Sequence, residues 1–193
     1  MEVQPLIDHL SRYVTLSDVE ISLLKSRITF RKYPRNQFVV QQGDICRHES
    51  FVVSGCLRTY HIDRQGNEHI IMFAVEDWWT SDLGSFISQT PANYNVQCLE
   101  PTLLIQFSQE NLETLYQEIP VLERFFRIIL QRAYVAADKR IIQNFSLTAK
   151  ERYLEFRNQY PQIEQRVPQY MIASYLGITK EFLSKIRHQL MTE

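Results

Sequence analysis

Six polar side chains close to the chain end, Lys180, Glu181, Ser184, Lys185, Arg187 and His188, recur at helical spacing within "TKEFLSKIRHQL". Lysine and arginine carry long donors able to reach guanine O6 and N7 in a DNA major groove, and shorter polar groups reach other base edges or phosphates. Between them Ile178, Phe182, Leu183 and Ile186 are expected to face a core. Upstream, Met171, Ile172, Tyr175 and Leu176 repeat at three-four spacing behind Pro168, a residue suited to a first helical position. Gly177 supplies the left-handed residue that a tight turn between steeply crossing helices needs, and Thr179 stands where it can cap the second helix. Two readings stay open: a helix-turn-helix whose second helix enters the groove, or a small helical hairpin with a solvated charged face.

Other chemistry finds less support. Cys46, Cys56 and Cys98 lie 10 and 42 residues apart, unlike a disulfide framework or a zinc or iron–sulfur ligand set, and read as small buried hydrophobes. Cys46 and His48 lack a third ligand, so no metal and no cofactor is expected. No nucleophile–base pair, metal triad or phosphate-cradling glycine loop is legible, and the chain is expected not to be an enzyme.

The elements that must position the polar helix are legible in outline. The 193 residues, 45% hydrophobic and 12% aromatic, can fill a sizeable core, and a charged content of 22% is ordinary for a folded chain. The first residues lack a basic segment followed by an apolar run, and no stretch approaches the roughly 18 uninterrupted apolar residues of a membrane span. A cytoplasmic location with no membrane partner is therefore expected. Charge is unevenly placed: residues 1–138 hold 12 Lys+Arg against 17 Asp+Glu, whereas 139–193 hold 9 against 5. The basic end is the one that carries the polar helix, as nucleic-acid binding requires.

Gly43, Gly55 and Gly66 punctuate "QFVVQQGD", "SFVVSGCLRTYHID" and "EHIIMFAVEDW", runs rich in Val, Ile, Phe and Tyr. Turn signals every 8 to 12 residues favour an antiparallel sandwich or barrel, with "DRQGNE" at 63–68 as a hairpin turn and a further sheet segment at 93–108 broken by Pro101. Ser108 is a plausible cap for a following helix. Beyond Pro120, the positions Leu122, Phe125, Phe126, Ile129, Ala133, Ala136, Ala137, Arg140, Ile141 and Asn144 lie near three-four spacing and predict one helix of roughly 25 residues. A helix of that length, on the order of 37 Å, exceeds what a small domain needs for its own packing. Its apolar face is expected to meet a second copy through Phe125, Phe126, Ile129, Ala133, Ala136, Ala137 and Arg140, the alternative being packing on its own β domain. Another helix is predicted from Thr148 to about Tyr160, stopped by Pro161.

The order Q-x-x-I-A-x-x-L-G-I-T-x-x-x-L-S-K-I-R, from Gln169 to Arg187, resembles the helix-turn-helix of the Crp/Fnr transcription regulators. "QQGD", the Gly55 and Gly66 turns and "DLGSF" at 82–86 fall where that family keeps its turns and phosphate-binding cassette. The resemblance implies an α+β chain: an N-terminal antiparallel β jelly roll, cyclic-nucleotide-binding-like, over 1–119, a long dimerisation helix over 120–145, and an all-α helix-turn-helix domain over 146–193. It implies a homodimeric regulator on double-stranded DNA, with Gln169, Thr179, Lys180, Glu181, Ser184, Lys185, Arg187 and His188 as the DNA-binding set. A small-molecule effector and RNA polymerase are further partners this arrangement leaves room for.

The departures matter. Where the family reads bases with an Arg-Glu pair and a later Arg, this chain has Lys180-Glu181 and Lys185, which keep the charge and lose the bidentate fork. After Leu190 only three residues remain, fewer than a hairpin wing needs. In the cassette the family's Glu becomes Asp82, its Arg-Ser pair falls near Ala92-Asn93, and no Arg or Lys occurs between Arg64 and Arg124. A buried cyclic phosphate without a charged partner is costly, so cyclic AMP is not expected in the usual mode. The candidate pocket is Asp82, Leu83, Gly84, Ser85, Phe86, Asn93 and Tyr94, with Trp78 and Trp79 nearby, able to take a weak anion or an uncharged molecule. Haem sensing finds no convincing axial ligand among His9, His48, His61, His69 and His188. A second function remains, a ligand-sensing or protein-docking module of the same fold without useful DNA affinity.

Overall fold

The computed structural model describes residues 3–192. It opens on two helices, α1 (Gln4–Ser11) and α2 (Asp18–Arg27), the second started by a capping box in which Ser17 and Glu20 satisfy each other's backbone N–H. Among the described residues eight strands follow: β1 (Thr29–Tyr33), β2 (Phe38–Val40), β3 (His48–Ser54), β4 (Leu57–Ile62), β5 (Glu68–Ala74), β6 (Trp79–Thr80), β7 (Asn95–Cys98) and β8 (Thr102–Ser108). They build two four-stranded sheets, ordered β1-β8-β3-β6 and β2-β7-β4-β5, with antiparallel pairing throughout. This is the expected jelly roll.

The glycine turns differ in kind. Asp63 accepts hydrogen bonds from the N–H groups of Gln65 and Asn67, and Gly66 adopts φ +88°, so β4 and β5 are joined by the predicted hairpin turn. Gly55 instead carries the chain from one sheet to the other, since β3 and β4 lie in different sheets. Its φ of +114° and the approach of Thr102, whose Cα would sit 2.8 Å from an added Cβ, leave room for glycine alone.

The main buried cluster gathers Phe51, Leu104, Ile105 and Phe107 of the sheet with Leu6 and Leu10 of α1. Helices α3 (Leu83–Ser88) and α4 (Gln109–Glu118) border it, and Ser108 caps α4 as predicted. Within the core His9 joins α1 to the sheet: its Nδ1 meets Asp77 at 2.8 Å and its Nε2 accepts from the Trp79 indole at 3.3 Å. Burial, resisted by the hydrogen bond and charge of Asp77, pushes the His9 pKa down.

Helix α5 (Val121–Ser146) runs 26 residues, about 39 Å. Its first turns belong to the core, and this corrects the predicted interface. Phe125 is fully buried and Phe126 nearly so, stacked with Trp79, Phe107 and Tyr116, and Ile129 packs beside them. Arg140 is held by backbone carbonyls of the same chain. Open instead are Leu130, Tyr134, Val135, Ile141, Ile142 and Phe145, with Phe145 88% exposed. At about 100° per residue this stripe is centred roughly 140° round the helix from the predicted one. Periodicity marked two apolar faces, and the jelly roll takes the first turns, Phe125, Phe126 and Ile129, of the one that the sequence assigned to a partner. Ala133, Ala136 and Ala137 remain exposed.

Beyond α5 come α6 (Ala149–Gln159), α7 (Pro161–Arg166), α8 (Gln169–Leu176) and α9 (Lys180–Thr192). Thr148 and Glu151 form a second capping box at the start of α6. Among the described residues no helix is long and apolar enough to cross a membrane.

Candidate nucleic-acid interface and effector cassette

Helices α8 and α9 form the predicted pair. Pro168 stands one position earlier than expected, as the N-cap of α8, and Gly177 ends that helix with φ +67°, ψ +34°. Thr179 caps α9, its hydroxyl accepting from the Phe182 N–H at 3.2 Å. Leu183 and Ile186 turn inward and are buried with Met171, Ile172 and Leu176. This leaves Lys180, Glu181, Ser184, Lys185 and His188 exposed along one side of α9, with Arg187 half-buried at its edge. Gln169 is exposed at the start of α8. One core assignment fails: Phe182 is 49% exposed. It lies past the arc that Leu183 and Ile186 turn inward.

The cassette is closed by its own carboxylate. Asp82, 1% exposed, accepts from Ser85 N at 3.0 Å with one oxygen and from Asn93 N and Tyr94 N at 2.7 and 3.1 Å with the other. Ser85 and Phe86 are buried as well, Ser85 accepting from Cys46 N and donating to the Thr90 carbonyl. Leu83, Gly84 and Asn93 are exposed and Tyr94 is half-buried. Three amides that could cradle an anion, those of Ser85, Asn93 and Tyr94, are thus already taken by the Asp82 carboxylate. Nor do the tryptophans line a common pocket with Tyr94: Trp79 is stacked into the aromatic core, and Trp78 packs edge-on against Tyr160 of the C-terminal helices. The basic residue of the neighbouring strand, Arg58, is bound to Glu68 and donates to Gln97 at 2.9 Å.

Less legible in the sequence is how the helix-turn-helix sits. Strand β5 is an edge, and α8 covers it. Ser174 accepts from Ile70 N and donates to the Glu68 carbonyl, both at 3.1 Å, in the manner of an added strand. Arg140 donates to the Ile70 and Ile71 carbonyls and to that of Tyr175 at 3.0 Å, its guanidinium 4.0 Å above the Tyr175 ring. At the end of α7, Arg166 forks onto two carboxylates: Glu76 at 2.6 and 3.0 Å, Glu100 at 2.7 and 3.1 Å. A second buried cluster joins the outer face of the sheet, through Tyr60, Ile70, Phe73 and Val75, to Phe156, Ile172 and Leu176. The hydrogen bonds that Ser174, Arg140 and Arg166 make to residues of the sheet domain link positions 66 to 106 apart, and only the isolated Ser, Arg and Glu side chains hint at them.

Among the described residues no three His, Cys, Asp or Glu side chains gather as a metal site, and the three cysteines are buried free thiols.

Residues 30–119, which hold nearly all of the two sheets and the short cassette helix, match the cyclic nucleotide-binding domain family. The chain as a whole shares its fold with the Crp/Fnr-family transcription regulators. The c-di-GMP responsive global regulator CLP of Xanthomonas campestris is 16% identical, with 91% of this chain and 92% of that one covered at a TM-score of 0.74. For FixK2 of Bradyrhizobium japonicum the values are 18%, 86%, 85% and 0.75. For the catabolite activator protein of Thermus thermophilus they are 19%, 95%, 87% and 0.61. No curated protein matches the sequence.

Proposed function

We propose that the protein is a sequence-specific DNA-binding transcription regulator acting as a homodimer, with residues 1–119 as sensor, 120–145 as dimerisation helix and 146–193 as DNA-binding domain. The observation that carries this reading is the exposed row of Lys180, Glu181, Ser184, Lys185 and His188, backed by a buried apolar side and entered through a capped turn. Such a row would supply donors and acceptors to base edges, with Arg187 and Gln169 as the phosphate contacts. Dimerisation falls to the open stripe of Leu130, Tyr134, Ile141 and Phe145, where close approach of Ala133 and Ala137 is unobstructed. Two copies would then present their second helices to successive major grooves.

The sensor does not take a cyclic nucleotide in the usual mode. A phosphate would compete with the Asp82 carboxylate for the amides of Asn93 and Tyr94 and would meet no Arg or Lys from the stretch between Arg64 and Arg124. The same reasoning separates this chain from a c-di-GMP responsive relative. An uncharged effector, contact with RNA polymerase, or activity without any effector all fit, and catalysis has no part.

Selection of genomic fragments by the purified protein tests the reading, repeated with Lys185→Ala and with millimolar cyclic AMP. An inverted repeat enriched by the wild type, lost in the variant and indifferent to the nucleotide is expected. No enrichment under any condition leaves the docking-module reading, and enrichment that depends on cyclic AMP refutes the reading of the cassette.

A further inference from the structure

Phe182 is the large apolar side chain on the groove-facing end of α9. It is the third residue of that helix, 49% exposed, with its backbone fixed by the Thr179 cap. At about 100° per residue it lies roughly 60° from Lys185 and 100° from Glu181, at the rim of the polar row rather than on the buried side. In a helix-turn-helix the first residues of the second helix contact base edges. The floor of the major groove is polar except for one group, the C5 methyl of thymine.

We propose that Phe182 reads sequence by van der Waals contact with a thymine methyl at one position of each half-site. The inference rests on the DNA-binding reading and adds to it a residue of a chemistry the polar row lacks. Lys180 and Lys185 are single-point donors on flexible stems and discriminate bases less sharply than a bidentate arginine. An apolar contact restores discrimination through burial, because any base without the methyl leaves the ring against polar edges.

The test needs no variant at its first step. Once a site has been selected, each thymine is replaced in turn by uracil, which removes only the methyl, and binding is measured at fixed salt. At one thymine per half-site the wild type should bind about fourfold more weakly, the equivalent of one methyl-sized group. Phe182→Ala should bind thymine and uracil sites alike at that position, and Phe182→Leu should keep part of the preference. Uracil tolerated everywhere, or a penalty that persists in Phe182→Ala, overturns this inference while leaving the regulator reading intact. Failure to select any site removes that reading and this inference together.

Discussion

Arg166→Ala should loosen the hold of α8 on the sensor sheet. The arginine donates four hydrogen bonds to Glu76 and Glu100, and one Glu76 oxygen also accepts from Gly55 N at 2.8 Å. Side-chain exposures are 24% for Arg166, 43% for Glu76 and 35% for Glu100. A fully buried ion pair broken on one side costs about 3–5 kcal/mol and an exposed one about 0–1. With solvent reaching both carboxylates, about 2 kcal/mol is the expected loss, on the order of a thirtyfold shift of the docking equilibrium. Hydrogen exchange reads it directly, because Ile70 N–H donates to Ser174 of α8 and is freed only when that helix leaves. Exchange at Ile70 should accelerate by about that factor while amides of the central strand β7 keep their protection. For Glu76, burial raises the pKa, and hydrogen bonds from Arg166 and Gly55 with the arginine charge more than reverse it, so it lies below the ordinary value. The contribution of this pair is therefore complete above the ordinary carboxylate range and is lost as pH falls through the depressed value. Ile70 exchange that changes less than about threefold in the variant would refute the idea that Arg166 holds the dock.

Two further outcomes follow from particular residues. Glu49, 8% exposed and hydrogen-bonded by Ser81, is pushed up to about 7 by burial, so the folded chain binds a proton that the unfolded chain releases at lower pH. Its stabilising contribution is complete below about pH 4.5 and is lost as pH rises toward 7; Glu49→Gln should flatten this fall, by about 3 kcal/mol at pH 8 in urea unfolding, and an unchanged pH profile would count against it. Gly55→Ala should lose about 3 kcal/mol by the same measurement, from the positive φ and the clash with Thr102; a loss below about 1 kcal/mol would mean that the crossover relaxes freely.

How much could be read from the sequence depended on the range of the interaction. Gly177, Thr179 and the Ser108 cap act within four residues and are legible as types at fixed offsets. The Ser17–Glu20 box is equally local, but α1 and α2 lie outside the elements expected from the sequence. The long helix was legible as a helix and misread as a surface, because a 3.6-residue period marks apolar faces without saying what covers them. Phe182 was misassigned for the same reason: an aromatic at the border of an amphipathic arc looks like core. The docking contacts of Ser174, Arg140 and Arg166 were out of reach, since each joins a common polar residue to a distant one with no periodicity to mark the pair. Asp82 lay between these cases, its position legible and its three amide partners visible only in the fold.

The covering of β5 by α8 also sets an order of events during synthesis. Ile70 and Ser174 are 104 residues apart. At roughly 5–20 residues per second, translation leaves the edge strand open for about 5–20 s before its cover exists. An unpaired edge of this kind is a template for pairing with another nascent chain, and here it carries Ile70, Ile71 and Phe73. Premature termination after the first turns of α5 and before α8 would thus yield a domain with a complete main core and one unprotected edge, prone to join its neighbours on the same polysome.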